Sequence, residues 1–446
     1  MLDRMTSATL LAAATPTTRD RYVDLLRVVS LGVVVLGHWL MAVVVTGPDG
    51  AVRTTNLLAI LPSLQPLTWL LQVMPVFFFV GGFSHATACA SVRRRGGRYA
   101  DFVRSRAGRL LRPTAVFVAV WLALALLIEL AGADRGVLRI ATRVVAQPLW
   151  FVGVYLGIVA LAPAMLRLHE RCGRWAPAVP VTLVAAAGLV DVARLAYDVP
   201  LIGYLNLAFV WLAVHQAGFL YADCRLDGRR PALALALGGL AATVLLTAVG
   251  PYPTSMVGMP GEKVSNMSPP TLALAACAGW LIGLVLVLRR PVSRWLARPG
   301  VWRSVVTANR LAMTAFLWHL TAMFAATAAT LAIGIPQPAV GSGTWWLVRP
   351  LWIGGLLALT AALVLAFRRA DRPRPVSVSG SSTGSSAGTA ALGMVLCTVG
   401  VLGFSAVGFG GLLAGRTATL LVLPVSPLLA AVLLATGAGL LRLTRS

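Results

Sequence analysis

The chain has 446 residues, 58% of them hydrophobic and only 12% charged, with no long hydrophilic portion from which a soluble domain could be built; this composition marks a polytopic membrane protein. Lys and Arg number 38 against 14 Asp and Glu, a formal charge of +24, but the basic residues sit in short clusters between apolar runs. That distribution reflects membrane topology and argues against nucleic acid as a partner. The five cysteines show no CxxC spacing and none falls in a segment expected beyond the outer surface, so neither disulfides nor a metal cluster is expected.

Residues 1–21 contain an apolar run of about five residues, short of the roughly 7–15 of a secretory signal, and read as a cytoplasmic tail. Twelve apolar runs follow that are long enough to cross a bilayer, which takes about 20 helical residues. They lie near 25–45, 66–88, 113–132, 148–166, 178–195, 204–221, 232–250, 271–288, 311–334, 346–367, 391–414 and 418–441. With the N-terminus inside, the inner segments hold 30 of the Lys and Arg and the outer ones 8. The positive-inside bias then puts both termini in the cytoplasm.

The first run, "YVDLLRVVSLGVVVLGHWLMAVVV", carries Arg27 at its entrance and His38 near its middle. Eleven residues bring the two to within about 20° of one helix face, roughly 16 Å apart. An imidazole at that depth needs a polar partner or a water-filled cavity. His319 and His215 fall at similar depth when measured from their cytoplasmic flanks, and His85 lies shallower. His215 and His85 are equally well explained as hydrogen-bonding groups across a helix pair, with Trp211 a packing neighbour of His215. His169 is expected in a cytoplasmic loop, and Glu129 and Asp191 near the outer surface as interface residues.

The second inner loop holds eight arginines between 91 and 112. Topology alone explains most of them, but Arg106 and Arg109 stand three apart at a helix start, hence on one face. Such a pair suits a phosphorylated ligand, since the planar guanidinium binds phosphate bidentately. Further on, "LRRPVSRWLARPGVWRSVVTANR" (288–310) mixes arginines with tryptophans and is expected to lie as an interfacial helix. Residues 371–390 read as a Ser/Gly linker, separating a ten-helix body (22–370) from a two-helix membrane appendage (391–446) that is nearly devoid of polar side chains. The fold class is therefore all-α: a ten-helix membrane bundle with two further C-terminal transmembrane helices.

Four fragments in order resemble the membrane acyltransferase-3 family. "RYVDLLRVVSLGVVVLGH" has the family's Arg, ten residues, His pattern in Arg27 and His38. "MPVFFFVGGFSHA" and "FVRSRAGRLLRP" resemble its Phe-rich segment and its Arg-x-x-Arg, matched by Arg106 and Arg109. "QPLWFVGVYL" is similar to the Leu-Trp-Phe opening of its fourth helix, with Trp150, and "NRLAMTAFLWHL" to its late Trp-His helix, with Trp318 and His319. Gly81 stands where the family often has serine, and the segments after 370 have no counterpart in it.

The resemblance implies transfer of an acyl group from acyl coenzyme A (acyl-CoA), approached from the cytoplasm, to a hydroxyl of a cell-envelope glycan, a glycolipid or a glycosylated metabolite. The donor is a substrate; no tightly bound cofactor and no metal are implied. In that scheme His38 is the general base or an acyl-imidazole relay. Arg27 guides the donor, stabilises developing charge or pairs with Asp24. Arg106 and Arg109 hold donor phosphates, with Trp150 beside the donor path, and His319 lines the cavity or orients the acceptor. A proton-coupled transporter is the alternative, since it also needs polar groups deep in a helix bundle.

Overall fold

The computed structural model describes residues 19–46, 52–132, 141–371 and 387–443. Of the expected N-terminal tail (1–21), residues 1–18, and of the expected linker (371–390), residues 372–386, lie outside the described residues; a helix already begins at Ala387, inside the expected linker. Twelve long helices are described: α1 Arg21–Met41, α2 Met74–Arg94, α3 Tyr99–Leu130, α4 Pro148–Cys172, α5 Ala178–Leu195, α6 Asn206–Ala222, α7 Arg229–Ala248, α8 Leu272–Leu296, α9 Pro299–Ala332, α10 Gly343–Phe367, α11 Ala387–Val407 and α12 Pro427–Leu443. Eleven of these regions are long and apolar enough to cross a membrane, and α12 is a shorter apolar helix. The protein is an all-α polytopic membrane protein. Its described strands form two small antiparallel hairpins, β1 Ala42–Thr46 with β2 Val52–Asn56, and β3 Ala418–Leu420 with β4 Leu423–Val425.

Three expectations about the elements change. The last run, expected as a helix over 418–441, opens as the β3–β4 hairpin, and α12 starts only at Pro427. The first helix ends at Met41, and "AVVVT" becomes β1; a run of β-branched residues favours the extended chain once the helix has no further turn to pack. The segment 288–310 is no separate interfacial helix. α8 continues through Arg289, Arg290 and Arg294 to Leu296, and α9 starts at Pro299. At 1.5 Å per residue helices of such length exceed about 30 Å of hydrocarbon, so their arginine-bearing ends extend past it as helix.

The chain divides into two compact units. One consists of Met1–Ser84, Leu168–Ala312 and Ile335–Gly355. Within it α7 packs along α8, α5 along α6, and α1 against α8. Small residues allow the backbones to approach: a Cβ on Gly218 would lie 2.7 Å from the Phe83 nitrogen and 2.8 Å from the Gly82 Cα. α2 and α6 therefore touch backbone to backbone, beside His215. On α8, Gly283 meets Ala236 of α7 in the same way.

The other unit consists of His85–Arg167, Met313–Gly334 and Leu356–Ser446. Here α11 and α12 pair and both lie against α3. Leu402 fills the space left by Gly153, where a Cβ would sit 2.6 Å from its side chain. Phe409, fully buried, stacks on Trp121 with ring centroids 6.2 Å apart and meets Phe117 edge-on at 5.8 Å. The Glu129 carboxylate accepts the backbone N–H groups of Gly411, Leu412 and Leu413. Placed by the sequence at an interface, Glu129 caps the turn that follows α11.

Candidate active site

The foot of α1 is a polar knot. Asp20 caps the helix, accepting the N–H groups of Tyr22 at 2.9 Å and Val23 at 3.2 Å, and its second oxygen accepts the Tyr221 hydroxyl at 2.8 Å. One turn on, Asp24 is buried at 5% exposure. Its carboxylate accepts Arg19 Nε at 2.5 Å, Arg27 Nη1 at 2.8 Å and Asn309 Nδ2 at 3.1 Å. Arg27 Nη2 donates to Ser84 Oγ at 2.8 Å. Three helices, α1, α2 and α9, thus fix one guanidinium. Of the roles open to Arg27 from sequence, pairing with Asp24 is realised, and a guanidinium held by both terminal nitrogens is pre-set in direction.

His38 shares that face of α1, about 16 Å further along. It is half-buried and followed by the fully buried Trp39. Because α1 stops at Met41, His38 stands in the last helical turn, with its carbonyl accepting the capping N–H of Ala42. The sequence put it near the helix centre; the early switch to β1 puts it near the end.

In the other unit, His319 on α9 is fully buried, and its Nδ1 lies 2.5 Å from the Phe316 carbonyl oxygen. A carbonyl only accepts, so Nδ1 carries the proton, and Nε2 is the basic nitrogen of the neutral ring. Rings link this histidine to Trp150: His319 to Phe316 at 5.8 Å, Phe316 to Phe151 at 5.2 Å, Phe151 to Trp150 at 6.2 Å. Phe151 also meets Tyr155 at 5.8 Å, and the Tyr155 hydroxyl lies 3.4 Å from Nε2 of the buried His85. Aromatic contacts of this spacing lock ring orientation. Trp318 stacks on Phe367 at 4.0 Å and meets Phe117 at 5.2 Å.

Arg106 and Arg109 fall on α3, which runs unbroken from Tyr99. Arg106 is half-buried and Arg109 exposed. The turn before them is anchored by Asp101, which accepts the Arg98 N–H at 2.9 Å and pairs with Arg104 at 2.7 Å. Arg27 and His38 therefore belong to one unit, and Arg106, Arg109, Trp150 and His319 to the other.

Further polar groups are buried within the helices. His169, expected in a loop, is buried near the end of α4. Its Nε2 contacts Asp223 at 2.8 Å, and its Nδ1 accepts the Gln216 amide at 2.8 Å. His215 is fully buried and packs edge-on against Phe219 at 4.8 Å, while Trp211 stacks on Phe78 at 4.4 Å. Asp191, expected at the interface, is only 1% exposed and receives Asn206 at 2.9 Å, Tyr252 at 3.0 Å and the Leu272 N–H at 2.7 Å. Burial first, and the Asp191 charge second, raise the pKa of Tyr252, so its phenol stays protonated and donates. Among the described residues no three His, Cys, Asp or Glu side chains are placed to hold a metal ion.

Sequence reasoning missed Ser84 and Asn309 as partners of the Arg27 knot. Ser84 adjoins the glycine pair of "GGFSHA", and Asn309 precedes Arg310 at the base of α9; neither carries a signal of its own.

The fold, with its long apolar helices, is that of a polytopic membrane protein. Residues 20–369 match the acyltransferase-3 family, described as an acyltransferase domain. The match covers most of the chain, so the chain belongs to this family and is a membrane acyltransferase that transfers groups other than amino-acyl groups. No curated protein and no solved structure matches it.

Proposed function

We propose that the protein moves an acyl group, such as acetyl, from acyl-CoA to a hydroxyl of a cell-envelope glycan, a glycolipid or a glycosylated metabolite. It acts in the cell membrane with both termini in the cytoplasm, in keeping with the 30-to-8 bias of basic residues. One observation carries the reading: within the family-matched segment, Arg27 is clamped between Asp24 and Ser84, three helical turns from His38 on the same face.

In this scheme neutral His38 accepts the acceptor's hydroxyl proton as the oxygen attacks the thioester carbonyl. The new C–O bond forms, the C–S bond breaks, and the thiolate of coenzyme A recovers the proton from the imidazolium. A relay through an acyl-imidazole is the two-step version of the same exchange. Arg106 and Arg109 bind the donor's phosphates, Trp150 lines its path, and His319 orients the acceptor through Nε2. The test is mass spectrometry of envelope glycans and lipids from cells carrying the wild-type chain or His38→Ala. The variant is expected to lose one acyl mass from a hydroxyl-bearing component. Identical profiles, with the variant inserted at wild-type level, would falsify the assignment.

A further inference from the structure

α8 carries its arginines in two ways. Arg289 is committed to the fold: its guanidinium pairs with Asp227 at 2.7 Å, reaches Asp20 at 3.7 Å and lies 4.7 Å over the Tyr221 ring. Arg290 and Arg294 are exposed, and their guanidinium groups meet no carboxylate, carbonyl or ring among the described residues. Four apart, they stand about 40° from each other on one face. A third cation joins them from α7. Gly239 meets Trp280, and Gly283 meets Ala236 and Ala232, so α7 and α8 run antiparallel. Arg229 stands one turn before Ala232, and Arg290 two turns beyond Gly283, each on the contact face of its own helix. The seam therefore ends in Arg229 and Arg290, level to within about 3 Å. Arg229 is likewise exposed, its guanidinium unpaired among the described residues.

The same face of α8 continues away from the arginines as apolar surface. Trp280, Leu284, Val287 and Arg294 recur at steps of four, three and seven residues and fall within an arc of about 80°. Trp280 and Leu284 are partly exposed, and Val287 is 37% exposed. Arg294 thus stands about 10 Å beyond Val287 and about 21 Å beyond Trp280, on the line that the apolar side chains follow. Trp295, 45% exposed, flanks the arginines as tryptophan does at a membrane–water interface. A ligand that meets both parts is anionic at one end and apolar over a length comparable to the roughly 15 Å of half a bilayer core. A second copy of the chain does not fit, because a symmetric contact would set these cations against their equals. A free phosphate leaves the apolar stripe uncovered.

We propose that Arg229, Arg290 and Arg294 bind the headgroup phosphate of an anionic phospholipid, one acyl chain of which lies along Val287, Leu284 and Trp280. All six side chains belong to one compact unit. The site uses none of the residues assigned to acyl transfer and stands whether or not that assignment does.

The experiment places the full chain in nanodiscs of equal parts phosphatidylcholine and phosphatidylglycerol with the same acyl chains. Retained lipid is read by native mass spectrometry. Wild type is expected to keep one phosphatidylglycerol in preference to phosphatidylcholine. Arg290→Gln with Arg294→Gln is expected to lower that preference about tenfold or more, the scale of one charge-assisted contact. Arg171→Gln with Arg174→Gln removes the same charge from exposed positions at the end of α4 and should leave the preference intact. A short-chain phosphatidylglycerol, with the same head, should displace the bound lipid poorly. Equal retention of the two lipids by wild type overturns the proposal, whatever the variants' folding. An unchanged preference in the first double variant, or an equal loss in both, overturns it too, the latter by reducing the effect to bulk charge. Displacement by inorganic phosphate or by the short-chain lipid as readily as by the long-chain one contradicts the role of the apolar stripe and overturns it as well.

Discussion

Asp24 does more for the site than any other side chain around Arg27, because one buried carboxylate receives Arg19, Arg27 and Asn309. Removing its charge leaves Arg27 with Ser84 alone. Asp24→Asn is therefore expected to lower stability by about 2–3 kcal/mol, toward the low end for breaking a buried pair because Arg27 is partly exposed. Thermal unfolding in detergent measures this, and an unchanged midpoint would show the knot to be idle. At this scale the sequence was informative where one helix's own periodicity acts: the eleven-residue step from Arg27 to His38 follows from 3.6 residues per turn. Ser84 and Asn309 lie 57 and 285 positions from their partners. Contacts over such separations depend on tertiary packing, which leaves no local pattern.

Among the elements, α2 and α6 meet where neither tolerates a side chain. Gly218→Leu is expected to abolish the folded state, since its Cβ alone would strike the Gly82 and Phe83 backbone. Size-exclusion chromatography would report aggregation; a monodisperse, wild-type-like peak would contradict the packing. The C-terminal pair, α11 and α12, is tied into its own unit through Phe409, Leu402 and the turn that Glu129 caps. Phe409→Ala should destabilise by about 3–5 kcal/mol, the cost of emptying a buried aromatic site. Glu129→Ala should cost about 1 kcal/mol, and Glu129→Gln less, because the amide oxygen still accepts. Melting temperatures in that order support the clasp, and equal temperatures refute it. Hydrophobic length placed these helices only to within several residues: α11 spans Ala387–Val407 where 391–414 was expected, and α12 spans Pro427–Leu443 where 418–441 was. The end of α1 was misplaced because valines read alike in a membrane helix and in a strand; only the packing of the β1–β2 hairpin decides between them.

Over the whole molecule, the twelve long helices among the described residues, the bias of basic residues and the family match describe a polytopic acyltransferase. Most of the helix count was legible because crossing hydrocarbon demands length and apolarity together: eleven regions among the described residues meet both, and α12 falls short in length. Which candidate residues stand in which compact unit was not legible, since the chain leaves and re-enters each unit several times. Arg106 and Arg109 illustrate this: their spacing placed them on one face of α3, while their different exposures emerged only with the fold. If they bind donor phosphates, Arg106→Ala with Arg109→Ala raises the KM for acyl-CoA by about tenfold or more while insertion is unchanged. An unaltered dependence on donor concentration would remove them from the donor site. The central claim is His38-dependent use of acyl-CoA, and the most direct measurement is thiol release from acetyl-CoA by the purified chain in liposomes supplied with envelope extract. Wild type is predicted to release coenzyme A at a rate that His38→Ala lacks. No release by wild type, or equal release by the variant, would contradict the account.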